Sequence, residues 1–73
     1  MYLPGDAARD GLALVDCSHR QDWEGARSVF NNCDGVMVAG FLARLVVDLL
    51  EELTESPEHA LALLREHHAG RAG

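Results

Sequence analysis

Cys17, His19 and Cys33 are the residues of this chain whose types could bind a metal ion or exchange thiols. Thiolates and imidazoles are ligands that zinc prefers, but Cys17-x-His19 followed by Cys33 matches no standard zinc spacing. The three side chains could share one ion only if two helix ends converge. Two cysteines in an intracellular chain are more often small core residues than a redox pair. A metal or thiol-redox protein is therefore the third functional hypothesis, after an interaction protein and an acidic inhibitor, and we expect no metal and no cofactor.

Nucleophilic and phosphate chemistry are also disfavoured by residue spacing. The run Asp16-Cys17-Ser18-His19 contains suitable residue types, but neighbours in a helix point to different faces, which works against a catalytic triad. Gly35 and Gly40 have the spacing of a phosphate-binding loop, but the Lys-Ser/Thr pair that should follow is replaced by apolar residues. We expect a protein without enzymatic activity and name no catalytic residue.

An acidic cluster follows in the second half of the chain. Like charges four residues apart on a helix repel by about 0.2–0.5 kcal/mol per pair, and carboxylates near a helix C-terminus also oppose the helix dipole. Apolar packing of the opposite helix face would offset this repulsion, and so would a basic partner surface. The second possibility makes an acidic inhibitor or nucleic-acid mimic the alternative function. The cluster comprises Asp48, Glu51, Glu52, Glu55 and Glu58.

Length and composition indicate a single helical domain over residues 1–73. With 73 residues, 48% hydrophobic and 25% charged, the chain is globular but too small to bury a large core. A net charge of −6 disfavours direct binding to nucleic acid and favours a basic protein as a possible partner. Self-association is a second way to supplement a small core.

Neither the N-terminal residues nor the most apolar stretch of the chain indicates a membrane protein. Residues 1–11 lack a basic segment followed by an apolar one, so we expect no signal peptide and a cytoplasmic location. Arg44 and Asp48 interrupt the apolar run short of the ~20 residues that a bilayer requires. We therefore expect no membrane partner.

The stretch over 34–55 predicts a long central helix, the spine of the domain. On a helical wheel its apolar side chains cover roughly 200°, about twice the usual minimum. A single neighbouring helix could not cover this arc, so we expect other helices or a second copy to enclose it. The arc contains Val36, Val38, Ala39, Leu42, Ala43, Leu45, Val46, Val47, Leu49, Leu50 and Leu53.

Capping residues and apolar periodicity predict an all-α fold, a compact bundle of four helices in the order short, short, long central, short. The predicted N-caps are Asp6, Asp22, Asp34 and Ser56, and Gly70 is the predicted C-cap of the last helix. Gly11 lowers helix stability by up to ~1 kcal/mol unless close packing requires it. The predicted helices cover 6–20, 22–32, 35–55 and 57–69, with a lead-in over 1–5 and a frayed tail over 70–73.

The segment from Leu12 to Cys33 resembles the helical hairpin of a tetratricopeptide-type repeat. It places a helix before Arg20-Gln21-Asp22-Trp23-Glu24-Gly25-Ala26 and a second helix after it, with Ala26 at the position that packs between helices. The resemblance covers about a third of the chain. No second copy follows, and the next helix is too long and too apolar for such a repeat. We assign no peptide-binding residues from it.

Our leading functional hypothesis is a non-enzymatic interaction or regulatory protein that forms a homodimer through the first half of the central helix. This half is apolar all round, because Met37, Gly40 and Phe41 occupy the wedge where charged residues appear later. The first hairpin could instead cover Met37 and Phe41 within one chain. The predicted self-association residues are Val36, Met37, Gly40, Phe41, Arg44 and Leu45.

Overall fold

Four α-helices form the chain in a computed structural model that describes the backbone of residues 1–72 and the side chains of residues 1–69. No strand occurs among the described residues, so the predicted all-α fold is confirmed. The helices are α1 (Pro4–His19), α2 (Trp23–Asn31), α3 (Gly35–Leu53) and α4 (Pro57–Ala72). Helices α1 and α2 pack against each other as a helical hairpin.

Helix α1 begins two residues before its predicted start. Its N-cap is Leu3, and Pro4 takes the first helical position, where the missing N–H of proline is harmless. The prediction of Asp6 as N-cap is wrong. Asp6 lies in the first turn, and its carboxylate accepts a hydrogen bond of 2.9 Å from the Leu3 backbone N–H.

The other three predicted N-caps are confirmed. The Asp22 carboxylate accepts from the Gly25 N–H at 2.9 Å, and the Asp34 carboxylate accepts from the Met37 N–H at 3.2 Å. The Ser56 hydroxyl accepts a bond of 3.3 Å from the backbone N–H three residues later. Each cap satisfies an N–H group that has no partner inside its own helix.

The C-termini of α3 and α4 differ from their predicted positions. Helix α3 ends at Leu53, because Thr54 adopts an extended conformation, and the predicted end at residue 55 is two residues too far. Helix α4 continues through Gly70 to Ala72, so the prediction of Gly70 as C-cap is wrong. The predicted frayed tail over 70–73 includes Gly73, which lies outside the described residues.

The turn between α1 and α2 is a Schellman motif. The Asp22 N–H donates to the Cys17 carbonyl at 2.8 Å, and the Gln21 N–H donates to the Ser18 carbonyl at 3.1 Å. Gln21 has a φ of 58°, the left-handed conformation that glycine usually supplies at this position. The motif reverses the chain within three residues and fixes α2 beside α1.

Helix α1, rather than the predicted spine α3, is the helix around which the buried residues gather. It packs against both α2 and α3, whereas α4 packs against α3. Ala7, Gly11 and Cys17 of α1 are buried, and α3 contributes only Val38. The apolar arc of α3 is therefore only partly covered within the chain.

Gly11 sets the closest approach of α1 to α3. A Cβ atom at this position would lie 2.6 Å from Cδ2 of the Phe41 ring and 3.4 Å from Cδ2 of Leu42. The missing side chain thus makes room for the Phe41 ring. Close packing explains why this helix tolerates a glycine in its interior.

A small polar network attaches the N-terminal residues to α1. The Tyr2 hydroxyl donates to Oδ2 of Asp10 at 2.7 Å, and Nε of Arg9 donates to Oδ1 of the same carboxylate at 3.1 Å. Desolvation, followed by the hydrogen bond to Asp10 and its charge, raises the pKa of Tyr2 to about 12. The hydrogen bonds from Arg9 and then Tyr2 lower the pKa of Asp10.

Gly11→Ala and Gly40→Ala should change stability in opposite directions. Helix propensity favours alanine by up to ~1 kcal/mol at both positions, but a Cβ at Gly11 overlaps the Phe41 ring, while a Cβ at Gly40 has no atom within 4 Å. Overpacking typically costs about 1–3 kcal/mol, so we expect Gly11→Ala to lower the free energy of unfolding and Gly40→Ala to raise it. Urea denaturation followed by circular dichroism measures both. Equal stabilisation by the two substitutions would contradict the close approach at Gly11.

The single tyrosine should titrate later in the folded protein than in the unfolded one. Because folding raises the pKa of Tyr2 from 10.0 to about 12, the folded state holds the phenol proton more tightly than the unfolded state does. The protonated phenol therefore contributes to the free energy of unfolding below pH 10, and this contribution is lost as the pH rises through the interval between the two values. Tyrosinate absorbance against pH measures the midpoint, with the urea-unfolded chain as reference. Asp10→Asn should move the folded midpoint down. A midpoint unchanged by Asp10→Asn would rule out a contribution of the Asp10 hydrogen bond and charge to the raised pKa.

Candidate interaction surfaces

Most large apolar side chains of this protein are exposed. Among the described residues the buried apolar side chains are Ala7, Cys17 and Val38, and no large side chain is fully buried. The three leucines of α4, Leu61, Leu63 and Leu64, are exposed as well. The exposed apolar residues are Met1, Leu3, Leu12, Val15, Trp23, Phe30, Val36, Val46, Leu49, Leu53, Leu61, Leu63 and Leu64.

The accessible surface of the chain is larger than its mass predicts. It measures 5741 Å², whereas a folded monomer of 7.9 kDa should expose about 4400 Å². The radius of gyration is 14.1 Å, against about 11 Å for a typical domain of this length. The excess of about 1300 Å² is surface that four packed helices of this size would normally cover.

The residues predicted for self-association lie on different sides of α3. The Phe41 ring packs against Gly11, so the first hairpin covers it in part within one chain, as the alternative interpretation allowed. Val36 is 84% exposed, and Gly40 faces open space. The six residues therefore do not form one continuous free surface. Val36, Gly40 and Arg44 are exposed, while Met37, Phe41 and Leu45 are half-buried.

A different set of α3 residues forms its free apolar stripe, which we call the α3 seam. Its members recur at alternating intervals of three and four residues and, at 100° per residue, lie about 120° around the helix from the side that faces α1. All are exposed except Leu50, which is half-buried. The seam is part of the apolar arc of α3. It is distinguished from the rest of the arc only because α1 covers the neighbouring side of the helix and leaves the seam free. It comprises Val36, Ala39, Ala43, Val46, Leu50 and Leu53.

The predicted acidic face is exposed, and its repulsion is partly offset within the chain. Nη2 of Arg44 lies 2.8 Å from Oδ1 of Asp48 and 3.3 Å from Oε1 of Glu51. Exposed pairs of this kind contribute little to stability, but they reduce the net charge of the cluster. Glu52, Glu55 and Glu58 are exposed as well.

Two open grooves lie beside α3. The first, of about 570 Å³, surrounds the turn between α3 and α4 and brings together Glu51, Glu52 and Glu55 of the acidic cluster, without Glu58. The second, of about 520 Å³, lies between α1 and α3 and has mainly apolar walls. Its lining residues are Leu14, Val15, Ser18, His19 and Leu42.

The residues of the metal or thiol hypothesis lie in different environments. Cys17 is buried, His19 is exposed, and the half-buried Cys33 donates its S–H to the Phe30 carbonyl at 3.3 Å. Both cysteines are free thiols. Over residues 1–69, no group of three or more potential metal ligands is close enough to hold an ion. Within the described part of the chain, no helix has the length and apolar character needed to cross a membrane.

Comparisons of the chain with protein-family models, with curated proteins and with solved structures found no match. The likeness to a tetratricopeptide-type hairpin is thus limited to the local sequence between Leu12 and Cys33.

Proposed function

We propose that this protein is a non-enzymatic helical interaction protein that associates with a second copy of itself as a dimer. The observation that carries the proposal is the exposure of so much apolar side chain on a chain with a very small buried core. Exposed apolar surface of this extent usually marks an interface. A second copy of the chain could cover this surface without any other protein being present.

The amount of surface involved supports this proposal. A stable protein interface buries about 800 Å² on each partner, which is less than the excess of about 1300 Å² over a folded monomer of this mass. Two-fold dimers are also the commonest assemblies, because one self-complementary patch closes them. Dimer formation would therefore supply the burial that the single chain lacks.

The placement of titratable groups supports a function without catalysis. Active sites tend to gather groups with perturbed pKa values in a cleft. Tyr2, Arg9 and Asp10, whose pKa values are shifted, attach the N-terminal residues to α1, and none of the three lines either groove beside α3. A cytoplasmic location and partners other than nucleic acid or membrane belong to the same proposal. The net charge of −6 supports the exclusion of nucleic acid.

Light scattering behind size exclusion should give about twice the monomer mass of 7.9 kDa at high protein concentration and a lower average on dilution. The midpoint of thermal unfolding should rise with concentration, because a dimer gains stability by mass action whereas a monomer does not. A mass of 7.9 kDa at every concentration, with a constant midpoint, would overturn the proposal.

The groove at the turn between α3 and α4 favours a second candidate function, binding of a basic partner. It presents Glu51, Glu52 and Glu55 on one open surface. Of these, Glu51 is the carboxylate that Arg44 contacts. Such a surface would attract a cationic protein segment and weaken with salt.

An arginine-rich peptide should bind this groove with a strong salt dependence. We expect Glu51→Lys/Glu52→Lys to remove the binding measured by fluorescence anisotropy, because the double substitution reverses the local charge. Glu24→Lys/Glu66→Lys is the matched control, since it changes the net charge equally at two exposed residues outside the groove. Equal losses in both variants would mean that the peptide responds only to net charge, and the candidate would fail.

A further inference from the structure

We infer that the second copy docks along the α3 seam with the two α3 helices antiparallel. This inference rests on the proposed self-association and specifies its surface and geometry. It places the contact on Val36, Ala39, Ala43, Val46, Leu50 and Leu53, away from the side of α3 on which Phe41 packs against α1.

The spacing of the seam is that of a helix which packs against another helix along its length. Apolar residues at alternating intervals of three and four are the pattern of coiled-coil contacts, in which side chains of one helix enter gaps on the other. From Val36 to Leu53 the seam extends for about 26 Å at 1.5 Å per residue. Helix α1 covers the neighbouring side of α3 and leaves this stripe free.

The sequence of intervals along the seam is the same when read from either end, which fits an antiparallel two-fold dimer. In a two-fold dimer every contact between two different residues occurs twice. If residue i of one copy touches residue j of the other, then residue j of the first copy touches residue i of the second. Antiparallel alignment then matches each of the two alanines with a larger side chain, so that the helices can approach closely at those positions. The matched pairs are Val36 with Leu53, Ala39 with Leu50, and Ala43 with Val46.

The helix dipoles favour the antiparallel orientation over the parallel one. At 100° per residue, Asp48, Glu51 and Glu52 lie about 110–170° around α3 from the centre of the seam, so the acidic cluster faces away from a copy docked there. Antiparallel alignment places the negative C-terminal end of each α3 beside the positive N-terminal end of the other.

Val46→Glu and Val15→Glu form a matched pair for testing the surface. The two valines are 46% and 47% exposed, on α3 and α1 respectively, so that either substitution should leave the single chain folded. We expect Val46→Glu to weaken the dimer by about 100-fold or more, because it buries a carboxylate at the centre of the seam. Val15→Glu should leave the dissociation constant within about 3-fold, as expected for a residue outside the interface. Sedimentation equilibrium measures both, and circular dichroism confirms the helical content.

Disulfide cross-linking tests the orientation. Val36→Cys and Leu53→Cys are made separately in a Cys17→Ala/Cys33→Ser background, oxidised alone and then oxidised as a mixture. A disulfide requires Cα atoms within about 7 Å, so an antiparallel dimer should cross-link only in the mixture. A parallel dimer would cross-link each variant by itself and not the mixed pair.

The possible outcomes separate this inference from the proposed function. A parent dimer that withstands Val46→Glu, or that dissociates with Val15→Glu, would overturn the seam and leave self-association standing. Cross-linking of each cysteine variant by itself would overturn the antiparallel orientation, and a dimer that cross-links in no combination would overturn the seam. A parent that is monomeric throughout, with α4 or another protein covering the seam, would overturn the proposed function and this inference together.

Discussion

The packing of the Phe41 ring against Gly11 is the contact on which the rest of this structure depends. The absence of a Cβ at Gly11 lets the Phe41 ring approach the backbone of α1 closely. This contact fixes which side of α3 is covered. Since α1 also carries α2 through the turn at Gln21, this contact positions the first hairpin on α3. The seam residues of α3 other than the half-buried Leu50 receive no such cover.

This arrangement leaves a thin core, because the residues between the helices are small. Ala7, Gly11 and Cys17 allow close helix approach but bury little apolar area each. Larger side chains such as Trp23 and Phe30 stay more than half exposed. A chain built in this way would gain stability by covering this surface against a partner, and its folding would then be linked to the proposed association.

Helix α3 carries two surfaces of opposite character on one rigid element. The seam is apolar along its whole length, whereas the acidic cluster lies only toward the C-terminal end, where Arg44 balances part of its charge. The acidic cluster lies on the side of α3 away from the seam, so a copy docked on the seam would leave the cluster exposed. Apolar surface would then supply affinity, and the helix dipoles would favour the antiparallel orientation.

The sequence alone determined the helices and most of their starts, because a cap such as Asp22 or Asp34 forms its hydrogen bond within three residues of itself. It failed at Asp6, where proline began the helix earlier, and at Gly70, which α4 passes through. It also could not divide the apolar arc of α3 into covered and free parts. Helical periodicity specifies a face but not its neighbour. That choice depends on the contact between Gly11 and Phe41, residues of separate helices, and only the tertiary structure decided it.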